Sequence, residues 1–427
     1  MNREGVVITG LGVVSPLGHT TEAIISALHT QQHNFHYLRE FAEFKRSRIQ
    51  IGTSVPDFST DSSSPEDWTC PYPTPISKEI IRGLNPHSYY AYHATVQALE
   101  AADLRQEIFD ENTGLFTASA GSPRNLHRNL REMYTYGVDR TNPFGIINSV
   151  VGTLSFNLGA IFKIRGAGCG FSSACASSAH ALGFAYDQIA MGRQERMIVV
   201  GAEDGDLDAI LPFAGMHALS TSKDPDAASL PFDRRRKGFV GSGGAAVLIL
   251  ESTECARRRG APIQAEFLGW GHGSDGHKPA APHPEGYGLV QALRNALKES
   301  EVDPPKIAYL NAHATGTPTG DFAEARALRA VFGSEPSFPI SSTKALTGHS
   351  LSMAGSLEVA LSIHALRSGF IPGTANLLEP DTDFAGLHLP KENLPSGGGI
   401  FLSNSCGFGG ANVCLAFRAV SNSEANE

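Results

Sequence analysis

Cys175 lies in Gly170-Phe-Ser-Ser-Ala-Cys-Ala-Ser-Ser-Ala-His, a run of tiny residues that leads into a helical pattern. Small neighbours let a substrate approach the sulfur. A cysteine at a helix N-terminus faces the positive end of the peptide dipoles, which favours the thiolate that attacks carbonyl carbon. A lone cysteine is more often a packing residue, but two histidines downstream change its reading. Asn311-Ala-His313-Ala-Thr315-Gly-Thr317-Pro puts a histidine at a strand end, in a turn before a helix whose first turn holds Asp321 and Glu324. Ser342-Thr-Lys344-Ala-Leu-Thr-Gly348-His349 puts a second histidine beside a glycine at another helix start, five residues after a lysine. The helix dipole there disfavours imidazolium and leaves a neutral ring that hydrogen-bonds an oxygen. Either histidine alone reads as structural; with Cys175 they form a nucleophile and two donors. Near the C-terminus, Asn404-Ser-Cys406-Gly-Phe408-Gly-Gly is a glycine-dense turn whose backbone N–H groups are free to point at an oxyanion.

These groups need a rigid frame. Val6-Val-Ile, Met197-Ile-Val-Val-Gly, Ala245-Ala-Val-Leu-Ile-Leu and Ile307-Ala-Tyr-Leu-Asn-Ala read as buried strands. Helical patterns lie at Ser178–Ile189, Leu289–Glu299 and Asp321–Val331. An earlier amphipathic stretch, Glu22-Ala-Ile-Ile-Ser-Ala-Leu, is capped by Thr21. Such alternation predicts α/β layers. Thr53 to Pro75 turns to Ser, Asp and Pro and reads as a surface loop. A strand gives way to the charged turn Glu254-Cys-Ala-Arg-Arg-Arg-Gly, so two halves are expected, residues 1–256 and 257–427. No repeat is visible by residue identity.

With 427 residues the chain is long enough for a large core or two fused ones. Lys and Arg total 34 against 43 Asp and Glu, a formal charge of -9 that lacks the basic excess of a nucleic-acid binder. The six cysteines form no CxxC pair, which argues for a reducing compartment and against zinc ribbons. No signal-peptide layout or long apolar run is seen, so a cytoplasmic protein without a membrane span is expected. Gly241-Ser-Gly-Gly-Ala-Ala matches a dinucleotide fingerprint by letters but leads into a strand instead of following one. Asp204, Asp206 and Asp208 copy the start of a calcium loop, yet Ala209 and Gly215 stand where a bend glycine and a bidentate glutamate are needed. His272, His277 and His283 have no supporting ligand pattern. No metal and no resident cofactor are expected.

The chain resembles the elongating beta-ketoacyl-acyl carrier protein synthases, condensing enzymes of the thiolase superfamily. The resemblance rests on Val7-Ile-Thr-Gly-Leu-Gly, Ser172-Ser-Ala-Cys-Ala, Pro231-Phe-Asp, His313-Ala-Thr-Gly-Thr-Pro, Ser342-Thr-Lys-Ala-Leu-Thr-Gly-His and Asn404-Ser-Cys-Gly-Phe-Gly-Gly, in that order. Phe162-Lys-Ile-Arg-Gly is similar to the type I branch and Ala281-Pro-His-Pro-Glu to type II, so the subtype stays open. The resemblance implies a thiolase-like α/β fold of two related halves in α-β-α-β-α layers, and a homodimer. It implies decarboxylative condensation of a Cys175-bound acyl group with malonyl-acyl carrier protein in fatty acid elongation, both substrates riding on the carrier's phosphopantetheine. His313 and His349 would hold the malonyl thioester oxygen, and Lys344 would support them electrostatically. The N–H groups of Cys175 and Phe408 would form an oxyanion hole. Thr315 and Thr317 would bind the pantetheine arm, and Phe408 would gate the acyl pocket.

Three positions depart from the family pattern: Cys406 where a large aromatic is usual, Lys237 where Asp is usual, and Ser242 where an acidic residue is common. They leave chain-length preference open. A ketosynthase of a polyketide or aryl-polyene pathway would use the same chemistry. A biosynthetic thiolase would need a second catalytic cysteine, a place Cys406 suits, but has Asn where His313 stands. A noncatalytic chain-length subunit would lack Cys175. Lys78 and Arg82 lie four apart, on one helix face, and are expected to dock the acidic carrier protein.

Overall fold

Strands at Val6–Val14, Arg196–Glu203 and Gly244–Ser252 are buried along their whole length. Continuous apolar strands of this kind belong to a sheet covered by helices on both faces. The computed structural model, which describes residues 4–72, 76–105 and 109–419, shows that arrangement.

Among the described residues ten strands join in one sheet: β1 Val6–Val14, β2 Thr113–Ala118, β3 Gly168–Phe171, β4 Arg196–Glu203, β5 Gly244–Ser252, β6 Ala265–Ser274, β7 Ile307–Asn311, β8 Ile340–Ser341, β9 Gly399–Gly407 and β10 Ala411–Ala419. Their order in space is β8-β7-β9-β10-β6-β1-β5-β4-β2-β3. Outward from the central antiparallel pair β1–β6, the two wings follow the same rule. Each wing's first strand pairs antiparallel with its last, the last antiparallel with the fourth, and the second parallel with both the fourth and the third. The duplication invisible by identity is therefore plain in the topology. Residue 257 lies in the helix Thr253–Arg258, just before β6 opens the second wing.

The predicted helices form at Ser177–Ala190, Tyr287–Ser300 and Pro318–Phe332, each longer than its apolar pattern. Pro318 occupies a first-turn position, where a missing N–H costs nothing. The helix expected to be capped by Thr21 starts there instead, and Thr20 is its cap, accepting from the Ala23 N–H at 3.2 Å. The stretch after Thr53 is not wholly superficial. Trp68 is buried against Tyr89 at 5.6 Å between ring centroids, while residues 73–75 lie outside the described residues.

Two central helices matter most, Ser177–Ala190 and Ala354–Arg367, which follow β3 and β8 at corresponding places in the two wings. Ala354–Arg367 is buried from Ala354 to Leu366, its polar Ser356, Glu358, Ser362 and His364 included. The pair cross at their first turns. A Cβ on Gly355 would stand 2.7 Å from the Ala179 nitrogen, and the Ser356 N–H donates to the Ser178 Oγ at 3.0 Å. One hydrophobic core, including Ile8, Leu182, Leu357 and Phe417, spans both wings around this crossing.

Candidate active site

The close crossing sets the segments before the two helices side by side, and Cys175 and His349 are on those segments. Between β3 and its helix the chain turns sharply at Ala174, whose φ of +50° puts a non-glycine residue in the left-handed region. Ser177 braces that turn: its Oγ accepts from the Ser173 N–H at 2.8 Å and donates to the Ala174 carbonyl at 2.6 Å. Cys175 follows, 8 % exposed, at the wall of a cavity of about 360 Å³.

His349 is fixed through its backbone. Its N–H donates to the Val240 carbonyl at 2.7 Å and its carbonyl accepts from the Ser242 N–H at 3.1 Å. His313 follows β7, the strand paired with β9, and its N–H donates to Glu324 Oε1 at 2.9 Å while the Ala314 N–H donates to Oε2 at 2.7 Å. The two imidazoles meet edge to face, centroids 5.2 Å apart at 87°. Both line the cavity with Cys175.

Burial, then the positive charge of Lys344, holds both histidines well below the ordinary imidazole range, and His349 adds to the effect on His313. They are neutral, as expected, but the cause differs from the one proposed. His349 precedes the helix Ala354–Arg367 by five residues, with the short turn Leu351–Met353 between, so the dipole is not the controlling influence. The expectation of a thiolate is also corrected. Burial pushes the Cys175 thiol up to about 12, and Lys344 only partly offsets it.

Lys344 does not line the cavity. It is buried behind the rings with its Nζ on Glu358 Oε1. Glu358 interrupts the otherwise apolar Leu357-Glu-Val-Ala-Leu, a signal that assigns it a partner inside the core. Its carboxyl is raised to about 7 by burial against the pull of Lys344. Asp321 and Glu324, read as first-turn acids, turn inward: Asp321 accepts the N–H of Phe232 at 3.0 Å and of Gly316 at 3.1 Å, while Glu324 also accepts from Asn404 Nδ2 at 3.0 Å. Glu324, Glu358 and Asn404 are the supporting residues that motif reading left without a role.

Thr315 and Thr317 line the cavity with their hydroxyls 3.0 Å apart. Phe408 stands at the wall, 36 % exposed, its ring 6.0 Å from Phe213. Gly409 and Gly410 follow at φ of +77° and +78°, conformations that suit glycine. Asp204, from the calcium-like run, is a buried acceptor for the His87 N–H at 3.0 Å and the Ser122 Oγ at 2.7 Å, and Asp206 caps the short helix Leu207–Ile210.

Two family models match, the beta-ketoacyl synthase N-terminal domain over residues 3–256 and the C-terminal domain over 264–378. The chain belongs to the beta-ketoacyl synthase family. Its relatives include the 3-oxoacyl-[acyl-carrier-protein] synthase 1 of Escherichia coli K12, 35 % identical, with 96 % of this chain and 98 % of that protein covered. A 3-oxoacyl-[acyl-carrier-protein] synthase 2 from Coxiella burnetii is 32 % identical over 98 % of this chain and 100 % of that protein. Among solved structures, a beta-ketoacyl synthase from Burkholderia phymatum superposes with a TM-score of 0.89 at 32 % identity, covering 98 % of this chain and 100 % of that one. The ishigamide ketosynthase/chain length factor gives 0.86 at 27 %, with the same coverage.

Of this synthase's three departures, Cys406 lines the cavity, Lys237 is exposed, and Ser242 is buried with its Oγ unpartnered while its backbone holds His349. Lys78 opens the four-residue helix Lys78–Ile81 and Arg82 closes it. Both are exposed and reach toward the same carboxylate, Glu66, at 4.0 and 2.7 Å, and neither lines the cavity.

Proposed function

We propose that this synthase elongates acyl chains by decarboxylative condensation with malonyl-acyl carrier protein in fatty acid synthesis. The observation that carries this reading is one cavity lined by a buried thiol and two neutral, perpendicular imidazoles. In the first step Cys175 Sγ attacks the acyl thioester on the carrier's phosphopantetheine. The S–C bond to pantetheine breaks and its sulfur leaves with the proton that Cys175 gives up, so a neutral resting thiol balances the exchange.

Malonyl-carrier protein then binds, with its arm along Thr315 and Thr317. The bond to the carboxylate breaks, carbon dioxide leaves, and the electron pair moves toward the thioester oxygen, where His313 and His349 donate. The α-carbon attacks the Cys175 thioester, the new C–C bond forms, and the sulfur is released and reprotonated. The N–H groups of Cys175 and Phe408 serve the oxyanion of both tetrahedral intermediates. Lys344 keeps the imidazoles neutral from behind. Phe408, ahead of two left-handed glycines, swings to admit the second substrate.

Lys78 and Arg82 steer the acidic carrier to the enzyme. The protein acts as a homodimer of chains divided at 256/257, and the exposed strand β3 with Phe156 on the helix packed against it supports a second copy there. No helix among the described residues is long and apolar enough to cross a membrane. All six cysteines are free, which fits a reducing cytoplasm, and the reaction as written uses no resident cofactor or metal. The test is a condensation assay over acyl-carrier proteins of increasing length. Product formation that requires malonyl-carrier protein supports the reading; condensation of two acetyl-CoA molecules without it overturns it.

A further inference from the structure

Cys406 opens a chamber on one side of the cavity. It is the penultimate residue of β9, and the residue after it packs on the nucleophile's turn: a Cβ on Gly407 would stand 2.5 Å from the Ser173 carbonyl oxygen and 3.2 Å from the Cys175 nitrogen. The cavity wall at Cys406 therefore adjoins the nucleophile's turn. Cys406 packs against the hydrophobic cluster that holds Leu289, and Leu289, Gly286 and Ala323 line the same cavity, the last on the helix that also presents Thr319 and Gly320 to it. That helix continues from Thr315 and Thr317, so it belongs to the side along which the second substrate's arm lies. Phe213, Phe239 and Leu351 also line the cavity and cluster with Cys175.

The two carboxylates that line the cavity are already engaged. Asp275 Oδ1 accepts from the Gly288 N–H at 2.9 Å and Asn412 Nδ2 at 3.2 Å, and its Oδ2 accepts from the His283 N–H at 3.0 Å. Glu324 is taken up by His313, Ala314 and Asn404. The carboxylates are thus held by the protein's own donors, and Cys406, Leu289 and Ala323 supply apolar lining beside them. Small apolar groups are what such a space favours. An aromatic side chain at position 406 would fill it; a thiol does not.

Resting on the condensing reading above, we propose that Cys406 is a specificity-determining residue and that its chamber receives the alkyl substituent of a 2-alkylmalonyl thioester. With the extender's thioester oxygen at His313 and His349 and its α-carbon toward Cys175, a substituent on that carbon has this space beside the nucleophile's turn. The chemistry is otherwise unchanged. The α-carbon loses carbon dioxide, bonds to the acyl carbon, and the product is a 2-alkyl-3-oxoacyl thioester.

The experiment measures kcat/KM for malonyl- and 2-methylmalonyl-carrier protein with the full chain, its Cys406→Phe variant and, as a second way to fill the chamber, Ala323→Leu. The wild-type protein should condense both extenders. The methylmalonyl-to-malonyl ratio should fall at least about tenfold in each variant, the lower end of the roughly 10- to 200-fold that one methylene is worth in a pocket. If the wild-type protein condenses malonyl but not methylmalonyl thioester, or if filling the chamber leaves the ratio unchanged in both variants, the assignment of Cys406 is overturned and the condensing reading stands. Condensation of neither extender would overturn both.

Discussion

The two wings of the sheet share one strand order and one pattern of pairing, yet they end in opposite chemistry. At the tip of the first, Glu203 accepts from the N–H groups of Ala120 and Ser352 and Asp204 holds His87, a buried network that braces the loops around a neutral thiol. At the tip of the second, Glu324 holds the backbone of His313 and Ala314, while a buried Lys344–Glu358 pair lies behind two imidazoles. Carboxylates do the same structural work on both sides, and the difference lies in which group each frame presents to the cavity. A duplicated backbone places equivalent positions; the side chains there divide nucleophile from donors.

Replacing the presented groups gives the largest separation between the wings. Cys175→Ala should abolish acyl transfer while retaining release of carbon dioxide from malonyl-carrier protein, because both donors remain. His313→Ala or His349→Ala should lower that release about 100- to 1000-fold, the effect of deleting one oxyanion donor. Radiolabelled carbon dioxide and mass spectrometry of the acyl-enzyme follow the two steps. Decarboxylation at the wild-type rate in both histidine variants would erase the division of labour.

The support behind the second wing is next. Lys344→Ala leaves Glu358 in the core without its ammonium, and breaking a buried pair from one side costs about 3 to 5 kcal/mol. Chemical denaturation should show that loss, and a change under 1 kcal/mol would mean that the pair is not buried as a charge pair.

The first wing can be tested by titration. With its thiol pushed up to about 12 by burial, Cys175 holds little thiolate near neutrality, so its alkylation by iodoacetamide should rise about tenfold per pH unit between pH 7 and 9. A rate that levels off in this window would restore the dipole-activated thiolate. The contrast continues in the second wing: since burial and Lys344 keep both histidines deprotonated, carbon dioxide release by Cys175→Ala should show no acid limb near 6.5.

The smallest effect is expected at the surface. Reversing the charge of both Lys78 and Arg82 should raise KM for carrier-bound acyl substrate several-fold at low salt and leave a minimal pantetheine thioester unaffected, because exposed charges act mainly on encounter. Equal losses on both substrates would remove these residues from docking.

What the sequence discloses, and where it stops, follows from the same contrast. Cys175, His313 and His349 are legible because each stands in a turn of small residues, and the helices after Cys175 and His313 form within a few residues of their apolar patterns. Glu324 looks like an ordinary first-turn acid, and nothing local says that it faces inward to bind two N–H groups on another segment. The duplicated topology is hidden for a related reason. Strand order is a matter of contacts between distant segments, and a buried strand accepts many apolar sequences without changing its place. The thiol's state is not legible because local position suggests a dipole, whereas burial among residues distant in sequence, such as Phe41, Ile210 and Leu351, decides it.

The contact of Gly355 with Ala179 carries a consequence for engineering. Because backbone already touches side-chain carbon and nitrogen there, with no room for even a methyl group, the spacing between the thiol's turn and the histidine's turn is a fixed dimension of the scaffold. A designer seeking a new product can exchange cavity walls such as Phe213 or Cys406 one at a time. Moving the two helices apart to make room would instead lengthen the reach between sulfur and imidazole, and spend the reactivity that the larger cavity was meant to use.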